Sequence, residues 1–254
     1  MRTTVKEIFL NTFTYVGGVT ILIYRSILAL SKIPRSIRLI VEQMMIMGVS
    51  SLPLVLITSM FTGLVTAVQA AYQTAGYVPQ VYIGAGVGKA VLIELGPVLT
   101  ALVVAGRVGS SIAAELGTMK VTEQIDALET LALDPVRYLV MPRLVSGLIM
   151  LPVLVIFSDT MAILGGLLVS FLGLGIPAHI YITGLKLYFL PHDLFGGLIK
   201  AIFFGIIIAI MGCYHGFTTT GGAEGVGRST TRAVVSSCLL ILFFNYVIAT
   251  LVFG

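Results

Sequence analysis

From Gln43 to Gly88 the chain carries no charged residue. No other feature constrains it more, because about twenty apolar residues are enough to cross a bilayer as a helix. Within this run, Met44 to Tyr72 reads as a first membrane span, long enough to cross with tilt at about 1.5 Å per residue. Composition agrees. Of 254 residues, 57% are hydrophobic and only 10% charged, against roughly a quarter charged in a soluble domain. The reading is an all-α integral membrane protein.

The same logic places four more spans: Lys89 to Ala114, Leu144 to Leu172, Leu198 to Phe217 and Ala233 to Phe253. Between them lie a Gly/Pro-containing turn (73–88), a charged segment (115–143), a partly apolar link (173–197) and the loop 218–232. Residues 1–42 form an N-terminal cytoplasmic or interfacial segment, and 43–254 the five-span domain. Ile8 to Tyr24 is uncharged but short for a span and holds Asn11 and a Gly-Gly pair. It is read as an amphipathic helix in the interface, with the basic cluster 25–38 beside anionic lipid.

Five spans put Arg2, Lys6, Arg25, Lys32, Arg35, Arg38, Arg107, Lys120, Arg137, Arg143, Arg228 and Arg232 on one side. Lys89, Lys186 and Lys200 fall on the other. The positive-inside rule then sets the N-terminus in the cytoplasm and the C-terminus outside. The net charge of +4 follows from these flanking cations, and no aromatic–basic interleaving points to nucleic acid. Cys213 and Cys238 lie in apolar surroundings with no ligand spacing, as small fillers. An odd span number cannot divide into two equal inverted halves, which favours a homodimer with its pathway between subunits.

Glu94 stands inside the second span, where a carboxylate marks function or a buried pairing. Pro97, three residues on, frees backbone groups and can kink the helix. A headgroup contact or gate, and a helix–helix hydrogen bond, both fit. Thr62, Thr66, Gln69 and Gln73 share one helix face, and a polar stripe on a span should face protein or a cavity. In "AGRVGSSIAAELG" (105–117) Gly106, Gly109, Ser110, Ala113 and Ala114 let another helix approach closely, within the chain or across a dimer. Asp159 and His179, His192 and His215 form no nucleophile–base–orienter set. "GGAEGVGR" (221–228) lacks the Gly-Lys-Ser/Thr ending of a phosphate loop and reads as a flexible cytoplasmic turn. With no nucleotide motif anywhere, the chain does not hydrolyse ATP by itself.

"EQIDALETLALDP" (123–135) concentrates acid in a chain that has only 11 acidic residues. It reads as a short cytoplasmic helix over about 122–132, capped by Thr122 and stopped by Asp134-Pro135. Ile125, Leu128, Leu131 and Ala132 share one face; Glu123, Asp126 and Glu129 share another. Anionic lipid would repel it. A protein groove fits, with apolar anchors inserted and carboxylates meeting Arg or Lys at the rim.

"ELGPVLTALVVAGRVGSSIAAELGTMKVTEQIDALETLALDPVRYLVMPRL" (94–144) closely resembles the signature of the MlaE/YrbE permeases, the membrane subunits of MCE-associated lipid ABC transporters. "EGVGRSTTRAVVSS" (224–237) resembles the family's second block, and the likeness covers about residues 40–254. It implies an MlaE-type fold with an interfacial helix, five spans and a coupling helix, in a bacterial inner membrane. It implies a homodimer, a cytoplasmic ATPase pair that binds ATP and Mg, an MCE-domain ring on the outer side and often a STAS-domain protein. It implies phospholipid as cargo. No cofactor is expected on this chain. Lipid contacts would include Thr66, Gln69, Gln73, Tyr77 and Glu94, and ATPase coupling Glu123, Asp126, Leu128 and Glu129. Some members carry Arg directly before the "ELGP" glutamate. This chain has Ile93 there, so that Arg–Glu pair is absent and headgroup selectivity is expected to differ. Two other readings remain in play: an ion-coupled carrier using Glu94, and a non-transporting anchor for an outer ring.

Overall fold

A computed structural model describes residues 5–30, 36–74 and 76–254, with side chains from Phe13 onward. Of the N-terminal cations, Arg2, Lys32 and Arg35 and the side chain of Lys6 lie outside the described residues. Among the described residues the structure is helical. In order these are α1 (Val5–Ala29), α2 (Ile37–Met47), α3 (Leu52–Thr74), α4 (Val81–Ala90), α5 (Gly96–Val104), α6 (Ser110–Val121), α7 (Gln124–Thr130), α8 (Met141–Leu172), α9 (Ala178–Tyr188), α10 (Pro191–Phe217) and α11 (Gly222–Phe253). Of three π-helical turns, Val91–Leu95 joins α4 to α5, Ala105–Gly109 joins α5 to α6, and Val136–Val140 leads into α8. Five stretches are long and apolar enough to cross a membrane: Ile37–Thr74, Val81–Val121, Val136–Leu172, Pro191–Phe217 and Gly222–Phe253.

The spans therefore number as expected but run longer. The turn expected over 73–88 ends early, because α4 starts at Val81. One of its glycines, Gly84, serves packing. A Cβ on Gly84 would strike the Tyr181 backbone, and one on Gly184 the Val81 backbone, so α4 and α9 touch main chain to main chain. The link 173–197 accordingly holds a helix, α9. The flexible turn expected over 221–228 is also corrected. Only Gly221 and Gly222 turn, at φ of 90° and 65°, and α11 is already helical from Gly222. There the Glu224–Arg228 pair at 2.9 Å has the i, i+4 spacing that supports a helix.

The chain divides into two compact units. The first gathers residues up to Met44, Ala105–Gly147 and Ile206–Ser237. In it α1 is longer than the expected Ile8–Tyr24 and packs on α10. The Tyr15 hydroxyl lies 3.3 Å from His215 Nε2, and its ring meets Tyr214 edge-on at 5.0 Å. Ala29 joins Ile40 and Met141 in a small core, beside which the Ser146 hydroxyl donates to the Ile40 carbonyl at 3.0 Å. Buried Arg143 pairs with Glu115 at 2.7 Å. The small-residue face expected over 105–117 is divided in use. Gly212 and Gly216 of α10 let Ile112 and Leu116 approach closely, while Gly106 opens onto empty space.

The second unit comprises Met45–Val104, Leu148–Gly205 and Cys238–Gly254. Its core is built from Ala67, Ile83, Val87, Val91, Ala162, Ile176 and Tyr181. The Ser59 and Ser158 hydroxyls are 2.7 Å apart where α3 crosses α8. Burial pushes the Tyr181 phenol above its ordinary range. Among the described cations, Arg25, Arg38, Arg107, Lys120, Arg137, Arg143, Arg228 and Arg232 belong to the first unit, and Lys89, Lys186 and Lys200 to the second.

Candidate functional site

Pro97 has no N–H, so the carbonyl four residues back, that of Ile93, loses its helical donor. The π turn 91–95 falls on the same stretch. Lys200 of α10 fills the vacancy, its Nζ donating to the Ile93 carbonyl at 3.0 Å. The same ammonium pairs with Glu94 Oε2, and Asn245 Nδ2 of α11 donates to Glu94 Oε1. The Phe253 ring lies 5.7 Å from Nζ, a cation–π distance. α10 reaches this turn because Gly197, one turn before Lys200, lies against the Leu92 carbonyl and Pro97, where a Cβ would not fit.

The electrostatics are asymmetric. The Lys200 side chain is fully buried, whereas that of Glu94 is 45% exposed. A buried ammonium needs an opposite charge and further hydrogen bonds, and this one has both. The carboxylate keeps an open side on a membrane span, where it should face a cavity, a partner or a polar ligand rather than lipid tails. The cation that Ile93 does not supply next to Glu94 thus comes from another helix. Sequence reasoning took Lys200 only as a topology marker and did not single out Asn245. The available signal was a lysine and an asparagine inside otherwise apolar spans.

The expected polar stripe on α3 is less polar than its composition. Thr62 and Thr66 are half-buried, and their hydroxyls donate to the Thr58 and Thr62 carbonyls at 2.9 and 2.7 Å. Such back-bonding satisfies the hydroxyl within its own helix. Thr62 and Thr66 line an open groove of about 530 Å³ together with Leu95, the residue after Glu94. Gln69 lines a second groove of about 430 Å³ with Val68 and Tyr72. Gln73 and Tyr77 are exposed, Tyr77 by 90%, and neither lines these grooves. Asp159 of α8 lies against Gly96, with its buried Oδ1 unpartnered among the described residues.

The acidic segment differs from expectation at both ends. Thr122 does not cap it but closes α6, its hydroxyl bonded to the Thr118 carbonyl at 2.8 Å. Glu123 occupies the cap position in left-handed backbone, φ 60°, and its carbonyl accepts the Ala127 N–H at 2.9 Å. The helix ends at Thr130, and Ala132 turns left-handed at φ 57°. Asp134 opens the next helical turn, because its Oδ1 accepts the Val136 N–H at 3.0 Å. Ile125 is buried and Leu128 half-buried, while Leu131 is 70% exposed. Asp126 is paired with Lys120 at 2.7 Å on the surface. Glu123 and Glu129 are exposed.

Residues 40–251 match the family model described as permease MlaE. A probable ABC transporter permease protein of Rickettsia prowazekii is 44% identical over 96% of this chain and 95% of its own length. A probable ABC transporter permease protein of Synechocystis is 45% identical over 84% of this chain and 81% of its own. The intermembrane phospholipid transport system permease protein MlaE of Haemophilus influenzae is 32% identical, over 96% and 94%.

Proposed function

The chain belongs to the MlaE family of ABC transporter permeases, and from that premise we propose that it moves phospholipid, or a similar amphiphile, between the inner and outer membranes. The observation that carries the reading is the half-exposed Glu94 carboxylate within a span, paired with buried Lys200 and hydrogen-bonded by Asn245. It offers a polar contact for a headgroup, and Leu95, its neighbour in sequence, lines an apolar groove with Thr66. Gln69, Gln73 and Tyr77 continue along the end of α3 and the turn after it as further lipid contacts. Two copies of the chain would enclose the pathway, with the open small face at Gly106 as one part of the seam.

Energy comes from cytoplasmic ATPase subunits, which hold ATP and Mg. The surface we assign to them is α7 and its flanks: Glu123 and Asp126 as charged contacts, Leu128 as the apolar anchor and Glu129 at the edge. An MCE-domain ring on the outer side, and a STAS-domain protein on the ATPase, complete the assembly. The orientation has the N-terminus in the cytoplasm and the C-terminus outside, in a bacterial inner membrane. The twelve cations against three on alternate sides of the five spans support it.

The test is phospholipid transfer by the purified assembly between proteoliposomes and acceptor vesicles. ATP-dependent transfer that Glu123→Lys with Asp126→Lys abolishes, by releasing the ATPase, is the expected result. Transfer by the chain alone under a pH gradient without ATP would replace this reading with an ion-coupled carrier. An assembly that holds its outer ring but transfers nothing, wild type and Glu94→Gln alike, would make it an anchor.

A further inference from the structure

In the first unit, α1, the end of α6, α7 and the turn into α8 line a cavity of about 350 Å³. That volume lies in the range of small-ligand sites. Its wall is apolar at Ile21, Ile125 and Phe217, and its charged residues are of both signs. Two of these are already engaged: Lys120 pairs with Asp126, and Asp134 accepts the Val136 N–H. The other two are Arg25 and Glu129. Both line the cavity, yet neither has an ion-pair partner among the described residues.

Opposite charges that face one cavity without meeting suit a ligand that carries both. A guanidinium is well matched to a phosphate, and a carboxylate to an ammonium. The apolar part of such a ligand also has a path. Ile21 is 57% exposed on α1, and Tyr24 and Leu28, three and seven residues on along the same face, are 63% and 57% exposed. A purely anionic lipid would meet Glu129 and Asp134. A soluble zwitterion would make no use of the apolar face of α1.

We propose that this cavity holds a resident phospholipid with a zwitterionic phosphoethanolamine headgroup, its phosphate on Arg25, its ammonium on Glu129 and its acyl chains along α1. The residues that line it are not those of the grooves along α3. It rests on the proposed function only in that α7 is the segment the ATPase meets, so an occupied cavity would brace that segment from behind.

The experiment is native mass spectrometry of the complete transporter released from nanodiscs of phosphatidylethanolamine and phosphatidylglycerol, counting lipids retained per chain. Wild type retains phosphatidylethanolamine in preference to phosphatidylglycerol. Arg25→Gln and Arg25→Glu each lower that retention by about tenfold, the size expected for one charge-assisted contact. Adding Glu129→Arg to Arg25→Glu restores it. Equal retention in wild type and both Arg25 variants overturns the proposal. Preference for phosphatidylglycerol does so too, by making the site a basic patch. Cross-linking of Arg25 to the ATPase with no lipid retained would make the occupant a protein. The count is independent of transfer, so loss of the phospholipid cargo reading with retention intact would leave this site standing.

Discussion

The Nζ of Lys200 is bonded at once to the Glu94 carboxylate and to the Ile93 carbonyl that Pro97 leaves without a donor. Because the lysine is fully buried and the glutamate half-exposed, the two halves of the pair are unequal. Glu94→Leu strands a buried ammonium and should cost about 3 kcal/mol or more. Lys200→Leu leaves a carboxylate that can hydrate and should cost about 1 kcal/mol. The double variant should be more stable than Glu94→Leu alone. Thermal unfolding of the four proteins in one detergent checks the order.

Pro97→Ala restores an N–H opposite the Ile93 carbonyl, so the π turn can relax toward α-helix. Stability should hold within about 1 kcal/mol, since a helical bond replaces one from Lys200. Lipid transfer should fall, because Glu94 would be turned from its place. Transfer at the wild-type rate would show that the turn has no role in presenting Glu94.

Gly197→Ala puts a Cβ where the Leu92 carbonyl and Pro97 stand. Backbone cannot yield as a side-chain tip does, so overpacking of about 1–3 kcal/mol is expected. Lys200 should withdraw from its acceptors as α10 is pushed back. Faster labelling of a cysteine placed at Asn245 would report the loosened cluster.

Glu123 holds a left-handed backbone that a glycine adopts without strain. Glu123→Gly should therefore raise the unfolding midpoint, by relief of about 1 kcal/mol. The same variant should bind the ATPase less well, having lost a carboxylate at the surface we assign to it. A pull-down with titrated ATPase and a melting curve on one sample separate the two effects.

Asp159 keeps a buried oxygen without a partner among the described residues, a state that costs about 1–3 kcal/mol. Asp159→Val removes the polar oxygens while nearly keeping the volume and should stabilise the chain. A lowered melting temperature would reveal a partner that α8 meets only in the assembly.

Much of this architecture was legible in the residues. Long apolar runs, broken by few or no charges, located all five spans, because a bilayer demands an apolar length that no other context does. The boundaries were less legible. Gly84 and Gly184 look like turn residues in sequence, yet they are contact points between two helices. Glu94 stood out as a charge in a span. Its partners did not, because Lys200 and Asn245 are more than 100 positions away and only the close approach at Gly197 brings α10 near. Thr122 has the composition of an N-cap but lies one residue before the left-handed turn that starts α7.

The π turns carry a consequence for how such a chain can change. Each wider turn accommodates one residue more than an α-helical turn would, and one residue rotates a helix by about 100°. A single-residue deletion within Val91–Leu95 could therefore be absorbed locally, leaving α5 and α6 in phase with their neighbours while Glu94 swings to a new azimuth. These turns act as a vernier, a place where a headgroup-facing side chain can be re-aimed without re-cutting the bundle around it.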